Sequence, residues 1–283
     1  MRDLAECLDG GQSFRWFFAP DRSTFVGSWD HWRVMLRLDA GLLQAAYADG
    51  VDPTVGEAAL RHYLALDPPM EGARDALPWR SDPILREAHE AFPRLRILRQ
   101  PPGEALLSFL CSATKQIPQI KEGLDQLARR FGAPLGEDVF ALPTWNVLAE
   151  VPESALRACG LGFRARYIKA VAGFLRESPD SLAQWEELSD AALRERLQSL
   201  PGIGPKVADC VMLFVFHRLT AFPVDTWIAR ALREWYQLDG WSIPQMIHFG
   251  QIHFGTAAGL AQQLLFAHIR QQRAGGQKDE MRG

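Results

Sequence analysis

Between residues 13 and 47 the chain alternates with a period of two: Val34, Leu36 and Leu38 fall on one face, Arg33, Met35 and Arg37 on the other. Turn-forming residues at Pro20-Asp21 and Asp39-Ala40-Gly41 bound these runs, so the pattern predicts an antiparallel sheet. A helical repeat from about Val55 to Leu66 follows, broken by Asp67-Pro68-Pro69. After Pro78 the remainder reads almost wholly as helix, with punctuation at Pro101-Pro102-Gly103, Gly132-Ala133-Pro134, Pro143, Pro152, Pro179 and Pro201. No internal repeat or low-complexity segment interrupts it. The last residues, from about Gln271 to Gly283, read as a solvated, frayed tail.

One helical pair stands apart. Leu193, Leu197 and Leu200 recur at helical spacing, and so do Val207, Val211, Met212 and Val215. Between them lies Leu200-Pro201-Gly202-Ile203-Gly204-Pro205-Lys206, which predicts a helix-hairpin-helix over about 190–217. Gly202 and Gly204 permit a tight turn with bare backbone N–H groups, and Pro205 suits the first turn of the second helix. Such N–H groups at a helix N-terminus hold phosphate.

A helix from Lys206 to His217 rises roughly 18 Å, and an extended segment 218–225 spans about 25 Å, so Asp225 can return to Lys206. Asp225 precedes a predicted helix from Thr226 to Trp235 and is read as its N-cap, where backbone donors favour the ionised carboxylate. Each feature alone has a bland reading: a Gly-x-Gly turn is common, a lysine after a turn is usually solvated, and an aspartate before a helix is usually only a cap. Their combination at this spacing is far more specific.

Composition narrows the rest. A chain of 283 residues that is 47% hydrophobic can bury a sizeable core and form more than one domain. No basic start with an apolar run opens the sequence, and no apolar run reaches transmembrane length, so a cytoplasmic protein is expected. The net charge of −3 argues against a general DNA-coating protein. It leaves room for a local basic cluster at Arg157, Arg164, Arg166 and Lys169, which is either a solvated helix face or a DNA contact. Cys7, Cys111, Cys159 and Cys210 are scattered, without a CxxC pair or the clustered set of an iron–sulfur site. His248 and His253 lack a carboxylate that would complete a helical ligand pattern, so no metal site is predicted.

The hairpin ending in Lys206, with Pro223-Val224-Asp225, resembles the helix-hairpin-helix DNA glycosylase superfamily, whose hairpin lysine and Pro-Val-Asp aspartate are catalytic. Gly11-Gln12-Ser13-Phe14-Arg15-Trp16, Phe109-Leu110-Cys111-Ser112, Gly160 to Tyr167 and Gly259 to Phe266 narrow the resemblance to the 8-oxoguanine DNA glycosylase family. It implies an α+β fold: a small N-terminal antiparallel β-sheet domain with a helix over 1–78, then two mainly α-helical subdomains over 79–283 that border the catalytic cleft.

The implied activity is excision of 8-oxoguanine from double-stranded DNA by a monomer, without a cofactor, followed by cutting of the abasic strand. Lys206 would be the nucleophile and Asp225 would stabilise positive charge on the sugar. A lysine of ordinary pKa, about 10.4, is protonated, so burial or the substrate complex has to free the amine. Lys206 and Cys210 share one helix face by their spacing, as do Gln262 and Phe266. The resemblance puts the flipped base between Cys210 and Phe266, with Gln262 on its Watson–Crick edge and the Gly11 carbonyl accepting from the N7 proton that guanine lacks. It makes Phe163 the wedge in the vacated stack and Arg164 a reader of the orphaned cytosine, with Gly202 and Gly204 on phosphate.

Three positions depart from the eukaryotic pattern. Gln119 stands for a second cytosine-reading arginine, Thr114 for an asparagine at the vacated stack, and Trp227 for a histidine two residues after the aspartate. They put opposite-base specificity in doubt. Two rival readings are a monofunctional alkylpurine glycosylase, which has no need of Lys206, and a non-catalytic DNA-binding protein that keeps the hairpin for phosphate.

Overall fold

The structure is a computed structural model that describes residues 2–19, 23–66, 69–179 and 181–280, with only the backbone course at 69–71 and 274–280. The predicted turn at Pro20-Asp21 and the start of the predicted break at Asp67-Pro68 lie outside the described residues. Helix α1 (Arg2–Asp9) precedes strands β1 (Trp16–Phe18), β2 (Thr24–Trp29), β3 (Trp32–Asp39) and β4 (Leu42–Tyr47). They form a four-stranded antiparallel sheet in chain order, with Leu36 facing Phe25 on one side and Ala45 on the other.

The alternation read from the sequence holds: Val34 and Leu36 are buried, whereas Met35 and Arg37 are exposed. Helix α2 (Pro53–Tyr63), capped by the Asp52 side chain, starts slightly earlier than the hydrophobic repeat suggested. The Tyr63 hydroxyl accepts from Trp16 Nε1 at 3.0 Å and donates to Ser13 Oγ at 3.0 Å, tying this helix to the sheet.

The helices continue with α3 (Pro69–Asp75), α4 (Pro83–Ala91), α5 (Pro102–Ser112) and α6 (Ile117–Phe131). A hairpin of β5 (Pro134–Gly136) and β6 (Val139–Phe140) then interrupts a region expected to be helical. Its loop residues Glu137 and Asp138 both adopt positive φ, a geometry that matches strand twist, and strands this short carry no readable period. Helices α7 (Trp145–Glu150), α8 (Glu153–Leu156), α9 (Arg164–Glu177), α10 (Ser181–Gln184), α11 (Asp190–Gln198), α12 (Pro205–Phe214), α13 (Thr226–Tyr236), α14 (Ile243–Phe254) and α15 (Ala258–Glu280) complete the chain.

Two differences at helix ends have clear causes. Helix α12 stops at Phe214, before the predicted His217, because His217 turns to φ 53° and Arg218 N–H bonds back to Met212 O at 2.9 Å. Helix α15 runs to Glu280 instead of fraying from Gln271, and Arg273 grips Glu234 of α13 at 2.7 and 2.9 Å. Arg270 on α15 also reaches α1, donating to Glu6 Oε1 at 2.9 Å and Gly10 O at 2.6 Å, so the last helix is clamped to the first.

The Gly11 to Trp16 motif has a structural use as well. Gln12 is fully buried; its amide donates to Arg96 O at 2.8 Å and accepts from Leu98 N at 3.0 Å, and Gln100 Nε2 donates to Gln12 O at 2.7 Å. Backbone bonding then links Gln100 to Phe214 at the end of α12. The motif thus fixes the N-terminal segment against the hairpin region. No helix among the described residues is long and apolar enough to cross a membrane.

Candidate active site

Helices α11 and α12 enclose the predicted hairpin, and Arg194 on α11 donates to the buried Asp209 on α12 at 2.8 and 3.0 Å. Gly202 sits at φ +84°, and an added Cβ there would lie 2.5 Å from Tyr167 Cγ, so both backbone and space demand glycine. Gly204 is the N-cap of α12 and is exposed with Pro205. Lys206 therefore projects from the first turn of α12.

The lysine is half-buried, and its Nζ donates to Ser112 Oγ at 3.2 Å and lies 5.5 Å from the Phe109 ring centroid. Cys210 shares its helix face and is buried; burial pushes its thiol up to about 11, against the nearby Lys206 charge. Asp225 caps α13, accepting from Ile228 N–H at 2.9 Å, as the sequence suggested. Burial nonetheless raises its pKa above the ordinary carboxylate value, outweighing the Ile228 N–H, the Lys206 charge and the Trp227 N–H that favour the ion. This reverses the expectation that the cap alone keeps it readily ionised. Lys206, Cys210 and Asp225 all act on one another electrostatically.

On α15, Gln262 and Phe266 are one turn apart; Gln262 is 3% exposed and its Oε1 accepts from Gln263 Nε2 at 2.6 Å. Gly11, at φ +107°, lies against the Phe266 ring, because an added Cβ would be 3.7 Å from Phe266 Cε1 and 3.2 Å from Ile117 Cδ1. The guanidinium of Arg270 stands 5.2 Å over the Phe266 ring, and its charge also reaches Asp225. Gly11 and Phe266 are thus neighbours, and Arg270 touches Phe266 while its charge is felt at Asp225. Trp227 lines a neighbouring cavity of about 510 Å³ with Glu6, Phe92 and Arg270.

A second group gathers at the turn after α5. Phe163, 45% exposed, caps α9 and meets Tyr167 edge-on at 6.1 Å, while Arg164 lies 4.4 Å over its ring. Arg164 is itself 5% exposed and turned inward: it donates to Leu161 O at 3.3 Å, to Thr114 Oγ1 at 2.6 Å and to Ala113 O. Thr114 holds a left-handed φ of 55°. Gln119 is exposed and stands apart, its Oε1 accepting from Gln116 N at 3.1 Å across the first turn of α6. A cleft of about 520 Å³ runs between Phe163, Tyr167, Leu110 and the hairpin at Pro201 and Gly202.

Of the basic cluster, Lys169 donates to Val151 O at 2.9 Å and to Ala149 O, and Arg157 pairs with Glu153 at 2.8 Å. The first ties α9 to the end of α7, and the second is an exposed pair one helical turn apart. Arg166 is exposed and bonds to the Tyr167 hydroxyl at 2.7 Å. Sequence reasoning assigned no role to Ser112, Phe109, Tyr167 or Arg270, although the first three stood in motifs already singled out. Among the described residues no group of three or more His, Cys, Asp and Glu side chains could hold a metal.

The arrangement sets an amine in the first turn of a helix that follows a glycine hairpin, within electrostatic reach of a half-buried carboxylate. A sequence model of the 8-oxoguanine DNA glycosylase N-terminal domain matches residues 2–106, and one of the HhH-GPD superfamily base excision DNA repair protein matches residues 107–249. A probable N-glycosylase/DNA lyase of Methanothermobacter thermautotrophicus is 30% identical over 61% of this chain, and the match takes in 62% of that relative's length. The N-glycosylase/DNA lyase of Saccharomyces cerevisiae is 30% identical over 83% of this chain and 68% of its own.

Among solved structures, the Clostridium acetobutylicum 8-oxoguanine glycosylase/lyase, crystallised with double-stranded DNA containing cytosine opposite 8-oxoguanine, superimposes with a TM-score of 0.87. It is 31% identical, over 95% of this chain and 92% of that one. With matching sequence models over both its sheet region and its hairpin region, the chain belongs to the 8-oxoguanine DNA glycosylase family of the HhH-GPD superfamily.

Proposed function

We propose that the protein is a bifunctional DNA glycosylase and abasic-site lyase that removes 8-oxoguanine from double-stranded DNA. The observation that carries this is the hairpin amine: Lys206 stands in the first turn of α12, held by Ser112 beside Cys210 and within electrostatic reach of the half-buried Asp225. A monofunctional enzyme has no use for an amine there, and a mere DNA-binding protein has no use for a desolvated carboxylate facing it.

The damaged nucleotide leaves the stack, at a cost of a few kcal/mol, and the wedge Phe163 fills its place. Neutral Lys206 Nζ attacks C1′ as the bond from C1′ to the base breaks. Asp225, as carboxylate, stabilises the positive charge that develops on the sugar, and the low-dielectric setting that raises its pKa also strengthens that interaction. The adduct opens to a Schiff base, from which loss of the C2′ proton expels the 3′ phosphate and cuts the strand. Water then releases Lys206.

In this reading the base enters between Cys210 and Phe266, with the Gln262 amide and the Gly11 carbonyl recognising it, and Gly202 and Gly204 grip phosphate. Thr114, Gln119 and Trp227 border the DNA. Arg164 must leave its bonds to Ala113 and Thr114 to read the orphaned cytosine. The protein acts as a cytoplasmic monomer on the chromosome, and its architecture divides into 1–78 and 79–283.

Borohydride trapping tests the proposal, because only an imine is reduced to a stable protein–DNA cross-link. Lys206→Gln is expected to abolish cross-linking, base release and strand cutting while lesion DNA still binds. A cross-link that survives in Lys206→Gln overturns the assignment.

A further inference from the structure

The Phe109-Leu110-Cys111-Ser112 motif has no part in the chemistry above, yet both its ends touch the nucleophile. Ser112 closes α5 and is 7% exposed, and its hydroxyl donates to Phe109 O at 2.7 Å. With its one proton so engaged, Ser112 Oγ meets Lys206 Nζ, at 3.2 Å, as an acceptor. The residue is fixed from the other side as well, since Lys115 N–H bonds to Ser112 O at 3.2 Å.

The Phe109 carbonyl that receives the serine proton belongs to a residue locked in the core. Its ring stacks on Phe214 at 5.3 Å and 11°, and meets Phe14 edge-on at 5.7 Å. The same ring presents itself to Lys206 Nζ at 5.5 Å. A flexible four-carbon side chain is thereby directed by two groups that cannot themselves move far.

We propose that Ser112 is a positioning residue for Lys206: it orients the amine toward the sugar through a hydroxyl whose own proton is held by Phe109 O. This rests on Lys206 being the imine-forming nucleophile. Cys111, between the two ends of the motif, is fully buried, with burial pushing its thiol up to about 12, so it contributes packing and no reactive group.

The test uses the full-length enzyme on a duplex with a preformed abasic site, where only amine attack and its consequences are observed. The single-turnover rate of borohydride-trappable imine formation is compared between the parent, Ser112→Ala and Ser112→Thr, with duplex Kd and Tm measured on each. Loss of one orienting hydrogen bond predicts a slowing of about three- to tenfold in Ser112→Ala, with Kd unchanged and Thr restoring most of the rate. A purely structural serine would change Tm and leave the rate of the folded enzyme alone, and that result overturns the inference. So does a parent-like rate in Ser112→Ala. If the parent forms no imine at all, it is the proposed lyase function that fails, and the two failures are told apart.

Discussion

At the scale of single residues, the site places a carboxylate where it is hard to ionise, and the proposed chemistry depends on its charge. Burial raises the pKa of Asp225, so the folded state holds its proton at a pH where the unfolded chain has lost it. Stability from this group is therefore lost as pH rises through that window, whereas activity that needs the carboxylate is gained. The acidic limb of the single-turnover rate is expected above the ordinary aspartate pKa of about 3.9. Asp225→Asn keeps an oxygen to cap α13, so it should fold with equal or higher Tm while base excision falls by orders of magnitude. A folded Asp225→Asn enzyme with normal turnover would remove the residue from the mechanism. On the recognition side, Phe266→Ala should weaken capture of the base by roughly 1–3 kcal/mol, seen as a lower excision rate at subsaturating enzyme. Gln119→Arg adds a potential base contact worth about 1–3 kcal/mol, at the loss of a weak capping bond to Gln116. It should sharpen preference for cytosine opposite the lesion, measured as kcat/KM on four duplexes, and an unchanged profile would show that this position does not read the orphaned base.

At the scale of elements, the hairpin is held by more than its glycines. Tyr167 of α9 lies where a Gly202 side chain would go, so the helix that follows Phe163 and the hairpin turn share one contact. Gly202→Ala meets both the positive φ and the tyrosine ring, and is expected to cost about 1–3 kcal/mol in urea unfolding and to weaken binding of any duplex. Adding Tyr167→Ala should recover part of that loss by removing the clash, while the φ strain remains. Independent, additive effects of the two substitutions would show that ring and turn are not coupled. The turn 112–114 likewise serves two sides, with Ser112 on Lys206 and with Ala113 and Thr114 on Arg164.

At the scale of the molecule, the N-terminal sheet is joined to the helical region through buried polar groups as well as apolar ones. Arg15 bonds to Ser28 Oγ at 3.1 Å and to Phe140 O, and Glu104 at the start of α5 accepts from Asp30 N at 2.9 Å. Burial pushes Glu104 up to about 7, with the Arg15 charge opposing. Between its ordinary value of about 4.5 and 7 the folded state keeps a proton that the unfolded state releases, so this group's contribution to stability falls as pH rises across that range. Glu104→Gln retains the acceptor oxygen and should flatten the decline, with a Tm advantage over the parent at pH 8 that disappears near pH 4. Parallel Tm profiles for the two proteins would show that Glu104 ionises freely in the fold.

Local pattern by itself determined the sheet and the hairpin, and it put a lysine and a helix-capping aspartate within reach of each other, while the catalytic role of that pair is what the resemblance implies. A period of two, a run of leucines at helical spacing, Gly-Ile-Gly-Pro-Lys and an aspartate before a helix all express backbone preferences that act over a few residues. The resemblance carried by the remaining motifs then named the base-pocket residues, and of these Gly11 and Phe266 do come together. The β5–β6 hairpin is local too, but its strands are too short to carry a period, while the clamp of Arg270 from α15 onto α1 and the inward turn of Arg164 depend on contacts between distant segments. The same holds for the acidity of Asp225, whose N-cap position was legible while its burial was not. Desolvation is set by everything that packs around a group, which is why the sequence located the carboxylate and only the tertiary structure decided how readily it ionises.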